Sequence, residues 1–294
     1  MEKKRKKQQE KFYPAALTVA PSSSGGSDGI QADLRTFNGF GVYGCTAITG
    51  VISRNPAALF SVETLSPETV ASQIDAVMSA VDIKFVKCGM LFNAGIIDVL
   101  AAAVEKYQLK LICDPVLFSA ENQAVFAPDD FELFKSKLMK HSAWLTPGIA
   151  EAELLLGKKI TSQNEQINAA KELHKLSGGA VVLKGTPNGN NSGKILSRIT
   201  DVACVNGEIC TVSTLKADIP KAAAHGAGCT YSAALTAALT LEMPYQEAVC
   251  AAKAFVMGSL VENVRIGRNI TVMYPPVNDY MGSVRWEEMD VRSC

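Results

Sequence analysis

The chain is poor in the residues that build metal centres and disulfide frameworks. It has three histidines in 294 residues, and none of its eight cysteines forms a C-x-x-C pair. Zinc-binding spacing is thereby excluded. Most of the cysteines lie in apolar runs, such as Cys113 in LKLICDP and Cys250 in EAVCAAKAF. They read as small buried hydrophobes in a reducing compartment, which here means the cytoplasm. An excess of one charge is missing too: 29 basic and 29 acidic side chains cancel. That argues against a general nucleic-acid binder. No segment reaches the roughly 18 uninterrupted apolar residues of a membrane span, so no membrane partner is expected. The opening MEKKRKKQQEK carries six basic and two acidic side chains, net +4, which leaves −4 for the remainder. No apolar stretch follows it, so residues 1–14 read as a solvated basic tail rather than a secretory signal.

What is present is a chain with 48% hydrophobic residues, enough for a sizeable core. From residue 66 onward helix and strand patterns alternate. Ser66-Pro67-Glu68 has the N-cap, the first-position proline and the acidic first turn of a helix, and Val70, Ile74, Val77 and Val81 follow at helical spacing. Strands are expected at 83–87, 109–113, 143–146 and 180–185, with helices at 93–107, 128–140, 149–157 and 166–176. KILSRIT and ACVNGEICTV read as strands, the second containing an Asn206-Gly207 hairpin turn. Helices at 229–241 and 245–264 complete the ordered part. Repeated β-α units with apolar strands imply an α/β fold, a mainly parallel sheet with helices on both faces. One domain is expected over 15–272, followed by an extension over 273–294 whose packing the sequence leaves open.

Ligands of such sheets bind beyond the carboxyl ends of the strands. Three turns stand there: Asp114-Pro115, Lys184-Gly185-Thr186, and the loop before Cys229. The last lies in AAAHGAGCTYSAALTAAL, residues 222–239. Small residues ahead of a helix bare backbone N–H groups toward an anion, and the helix dipole adds favourable potential. A thiol at that helix start is expected to have a lowered pKa and to accept a proton from a substrate hydroxyl. The same glycines equally permit close packing of the helix on the sheet with Cys229 inert, and spacing alone leaves both readings open. No Lys-Ser/Thr follows the glycines, so this is not a Walker loop. His225 is given no chemical role.

AHGAGCTYSAA resembles the T-H-G-T-G-C-T-x-S-A-A signature of the hydroxymethylpyrimidine/phosphomethylpyrimidine kinases, ribokinase-superfamily enzymes of thiamin biosynthesis. GGSDGIQADLRTFNGFGVYGCTAITGV resembles the family's glycine loop and first helix. KCGML, DPV, TPGIAEAELLLG and VVLKG follow in family order, so that the similarity covers residues 15 to 270. The resemblance implies a ribokinase-like domain that transfers a phosphoryl group from ATP, with Mg2+, to a hydroxymethylpyrimidine and then to its monophosphate. It implies Cys229 as catalytic base and Gly226, Ala227 and Gly228 as anion hole. It implies Lys184, Gly185 and Thr186 at the nucleotide, and Asp114 and Glu151 near the metal. Ser22, Gly29, Arg54 and Met90 fall at the substrate. A homodimer is implied as well.

The departures from the family pattern are local. The first loop reads APSSSGGSDG, with Ser23 where the family has Asp and with Asp28 nearby but out of register. Arg54 replaces a glutamine that bonds the pyrimidine. Gly148 replaces an asparagine near the metal, and KGTP replaces K-G-G-H. A guanidinium only donates hydrogen bonds, so Arg54 cannot receive the pyrimidine amino proton. A pyridoxal-type kinase is therefore the alternative within the superfamily. A catalytically impaired homologue that binds a nucleotide or pyrimidine without turnover is the alternative from a different functional class.

Overall fold

The computed structural model describes residues 12–55, 58–118, 125–186, 198–219 and 221–289. Most of the basic start and the first residues of KILSRIT lie outside this set. The elements run β1 (Ala15–Ser23), α1 (Gly29–Gly39), β2 (Tyr43–Asn55), β3 (Ala58–Thr64), α2 (Pro67–Met78), β4 (Ile83–Cys88), α3 (Ala94–Lys106) and β5 (Lys110–Cys113). Then come α4 (Pro128–Lys137), β6 (Trp144–Leu145), α5 (Ile149–Leu156), α6 (Gln163–Ser177), β7 (Ala180–Leu183), β8 (Arg198–Val205) and β9 (Glu208–Leu215). Last are α7 (Ala227–Thr240), α8 (Tyr245–Val261), β10 (Val264–Gly267), β11 (Ile270–Val272) and β12 (Arg285–Glu288).

Ten strands form one sheet in the order β12-β9-β8-β7-β6-β5-β4-β1-β2-β3. The six from β7 to β2 are parallel, and antiparallel pairings close both ends. Alternation along each strand assigns the faces. Val181 and Leu183 point to the larger core under α2–α6, while Val182 between them points to the core under α7 and α8. Leu111 and Cys113 divide from Ile112 in the same way. Residues flanked by apolar neighbours on both sides cannot face water, which is why these strands read as continuous hydrophobic runs.

Local signals hold where the chemistry is local. Ser66 accepts a hydrogen bond from the Thr69 amide and caps α2 ahead of Pro67. Asn206 and Gly207 both take positive φ, 53° and 84°, the turn that matches strand twist. β8 and β9 flank that turn, so ACV continues the strand begun in KILSRIT instead of starting a new one. The segment beyond 272 adds β12 to the sheet edge along β9, and Trp286 packs edge-on against Tyr245 of α8 at 6.4 Å. The β2–β3 and β10–β11 hairpins have no counterpart in the sequence reading.

Candidate active site

The carboxyl ends of β5 and β7 and the start of α7 bring the three predicted turns together. Lys184 Nζ lies 3.0 Å from Asp114 Oδ1. Asp114 also accepts from Ser232 Oγ of α7 at 3.0 Å. Burial works against an ionised Asp114, but Lys184 and Lys87 outweigh it and hold the carboxyl below its ordinary range. Lys184 in turn stays cationic despite burial because Asp114 and Glu151 face it. Glu151, at the first turn of α5, accepts from the Gly148 amide at 2.7 Å. Burial pushes it up to about 7, with Lys184 opposing and Asp114 adding to the rise.

α7 begins earlier than its sequence suggests, at Ala227. Its first intrahelical bond runs from the Thr230 amide to the Gly226 carbonyl. The amides of Ala227, Gly228 and Cys229 therefore have no partner within the helix and gather at its positive end. Gly226 caps it at φ 88°, where a Cβ would overlap the Ser27 carbonyl oxygen. Glycine is required here both by the left-handed backbone and by the close approach of the Ser27 loop.

The expected lowering of the Cys229 pKa is not found. Burial pushes this thiol up to about 12; Lys87 pulls it down, and Asp114, Asp33 and Asp28 push it further up. The helix start contributes only a partial positive charge, less than the loss of hydration removes.

Two cavities meet at this helix start. One, of about 490 Å³, is lined by Arg54, Met90, Asp114, Glu151, Gly226 and Cys229 among others. The second, of about 300 Å³, lies between β8, β9 and α8 and is lined by Gly185, Ala227, Tyr231, Val256 and Leu260 among others. Lys184 and Gly228 line both. Ser22, Gly29 and Thr186 line neither. Ser22 Oγ accepts from Gln31, Gly29 opens α1 where a Cβ would overlap the Pro21 carbonyl, and Thr186 Oγ1 accepts from the Thr200 amide.

A model of the phosphomethylpyrimidine kinase family matches residues 23–274. The chain belongs to that family. It is 35% identical over 257 residues to a hydroxymethylpyrimidine/phosphomethylpyrimidine kinase of Rhizobium meliloti, covering 86% of this chain and 93% of the relative. Among solved structures, the phosphomethylpyrimidine kinase of Clostridium difficile 630 superposes with a TM-score of 0.70 at 30% identity, covering 83% of this chain and 97% of that one. An ADP complex of Bacillus subtilis pyridoxal kinase superposes with a TM-score of 0.77 at 29% identity, covering 90% and 98%. The fold is ribokinase-like and the chain is a phosphotransferase.

Against the family pattern, Arg54 and Asp28 form one cluster. Arg54 Nη1 lies 3.2 Å from Asp28 Oδ2, and His225 Nε2 lies 2.9 Å from the same oxygen. Burial would raise Asp28, but the bond from His225, with Ser23 and Arg54, holds it below its usual range. So Asp28, out of register in sequence, reaches the larger cavity in space, and His225 acquires a structural partner. Gly148 also lines this cavity; a Cβ there would sit 3.5 Å from Glu151, so the fold leaves room for the family's asparagine.

One buried pair was not singled out from sequence. Lys87 of β4 and Asp33 of α1 meet at 2.9 Å with both side chains fully buried, and Thr18 donates to the same carboxylate at 2.6 Å. Burial alone would discharge Lys87; Asp33 reverses this and holds it cationic beneath Cys229. Removing one partner of such a pair costs about 3–5 kcal/mol. The available signal was a lysine inside an apolar parallel strand, IKFVKC.

Proposed function

We propose that this protein transfers the terminal phosphoryl group of ATP to the hydroxymethyl group of 4-amino-5-hydroxymethyl-2-methylpyrimidine, or to the monophosphate so formed. The observation that carries the reading is the meeting of two cavities at Lys184 and Gly228, on the open amide end of α7. The larger cavity takes the acceptor, and the slot beside α8 takes the nucleotide. In the transfer a bond forms between the acceptor oxygen and the terminal phosphorus, the bond from that phosphorus to ADP breaks, and the hydroxyl proton passes to Cys229 Sγ. The amides of Ala227, Gly228 and Cys229, with Lys184, face the charge that accumulates on the phosphoryl oxygens. Asp114 and Glu151 both line the acceptor cavity, and two carboxylates completed by phosphate oxygens and water suit Mg2+. Mg2+ would neutralise phosphate charge there.

Arg54 favours a second acceptor. It lines the larger cavity while paired with Asp28, and a guanidinium in that wall suits a ring oxygen or phenolate better than an amino group. A pyridoxal-type hydroxypyridine meets that requirement. The test is ADP release from Mg-ATP with the pyrimidine, its monophosphate, pyridoxal, or no acceptor. Turnover with a pyrimidine is expected. Arg54→Gln is expected to raise kcat/KM for the pyrimidine about tenfold or more, because an amide accepts as well as donates whereas a guanidinium only donates. No turnover with any acceptor would sink the kinase reading, and an unchanged preference in the variant would remove Arg54 from selection.

We further propose a cytoplasmic homodimer. The seven cysteines of the described residues are free thiols, which suits a reducing compartment. All seven residues of β3 are exposed at the sheet edge, including Phe60 at 72%. An exposed apolar edge strand calls for a cover, and a second copy of this chain is the partner proposed. Phe60→Asp is then expected to sediment as the 31.3 kDa chain and the parent at twice that mass. A parent that sediments as a single chain would exclude the dimer.

A further inference from the structure

We propose that the buried ion pair between Asp201 of β8 and Lys253 of α8 positions the Lys184-Gly185 turn and thereby sets how tightly the triphosphate donor is held. The proposal rests on the kinase reading above, and it concerns two residues to which neither the motif comparison nor the acceptor site assigns a role.

A lysine in the middle of an apolar helix is costly to bury unless its charge is met. Lys253 stands in EAVCAAKAF with its side chain 8% exposed, and Asp201 is 2% exposed. They meet at 2.8 Å. The same Asp201 oxygen accepts the Gly185 amide at 2.8 Å. The Gly185 carbonyl is held from the other side by Gln166 Nε2 at 2.6 Å. The residue after Lys184 is thus gripped by its N–H and by its C=O, which fixes the direction in which the chain leaves β7.

That direction governs Lys184, whose ammonium has to reach the wall shared by the two cavities. An ionised carboxylate is the stronger acceptor for an amide. Lys253, 2.8 Å away, supplies the countercharge that a carboxylate held out of water requires. Both side chains line the nucleotide slot, where Lys253 also cancels a negative charge that would otherwise repel a polyanion. A mere cross-tie between helix and sheet would need neither the bond to Gly185 nor a place in the slot.

The test compares steady-state kinetics, ADP binding and thermal unfolding in the parent and in two double variants. Asp201→Leu with Lys253→Met replaces the pair by apolar side chains, a change that folds generally tolerate. It is expected to raise KM for ATP about tenfold or more, while kcat and KM for the acceptor stay within about twofold. Asp201→Asn with Lys253→Met keeps an acceptor for the Gly185 amide and is expected to recover most of the lost affinity. A folded Leu/Met variant with the parental KM for ATP would overturn the assignment. So would a parallel fall in kcat, both KM values and melting temperature, the mark of a general cross-tie. A parent that binds no ADP would instead overturn the kinase reading itself, and this inference with it. Recovery in the Asn/Met variant also decides whether a variant that fails to fold does so through lost packing.

Discussion

Cys229→Ser is expected to lower kcat by about 10²- to 10⁴-fold, the loss typical of a removed proton-transfer group, and to leave ADP affinity nearly unchanged. Cys229 lines the larger cavity and is absent from the slot beside α8, so under the proposed roles of the two cavities binding and turnover separate. The pH dependence supplies the sharper test. A base must be deprotonated to act, and burial holds this thiol up to about 12. The fraction present as thiolate therefore grows as pH rises through the neutral and mildly alkaline range. The parental kcat/KM is expected to climb about tenfold per pH unit there, and the serine variant is expected to lose that slope. Turnover in Cys229→Ser at the parental level, with the slope intact, would take Cys229 out of the mechanism.

The second large effect is at Gly226. Gly226→Ala is expected to lower kcat by at least about 10²-fold, the scale of one lost oxyanion donor, and to lower the melting temperature as well. The added Cβ would meet the Ser27 carbonyl, a backbone atom that can yield only if the whole Ser27–Asp28 loop moves. That movement would carry Asp28 away from Arg54 and His225, and so would disturb the acceptor wall and the amide cluster together. Gly157→Ala is the control. It shares a left-handed backbone, φ 65°, but nothing lies within 4 Å of its Cβ position. It is expected to cost about 1 kcal/mol of backbone strain and to leave kcat unchanged. Equal losses in the two variants would mean that left-handed strain alone, and not the contact with Ser27, explains Gly226.

These two residues show how far sequence reading reached. Gly226 to Cys229 stood out because small residues bare the backbone before an alanine-rich helix, and the family motif weighed against the equally open reading of close packing. Asp114 and Lys184 stood out because each ends an apolar strand. Their bond to each other, across 70 positions of chain, was not legible. Nor was the state of the thiol. The sequence places Cys229 at a helix start, which lowers a pKa, but it is silent on burial, which here has the larger effect and the opposite sign.

The same division holds across the molecule. Periodicity, caps and turn residues act within a few positions, and they determined the helices, most strands, the Asn206-Gly207 turn and the mainly parallel α/β sheet. Motif order determined the family, and it singled out the three turns that the fold brings together. Only the tertiary structure decided which charges neutralise one another: Lys87 with Asp33, Arg54 with Asp28, and Lys253 with Asp201. It alone decided that Thr186 spends its hydroxyl on β8 and that two cavities share Lys184. The reason is physical. Burial and charge pairing depend on groups tens or hundreds of residues apart, and the folded chain alone sets how much water is left between them.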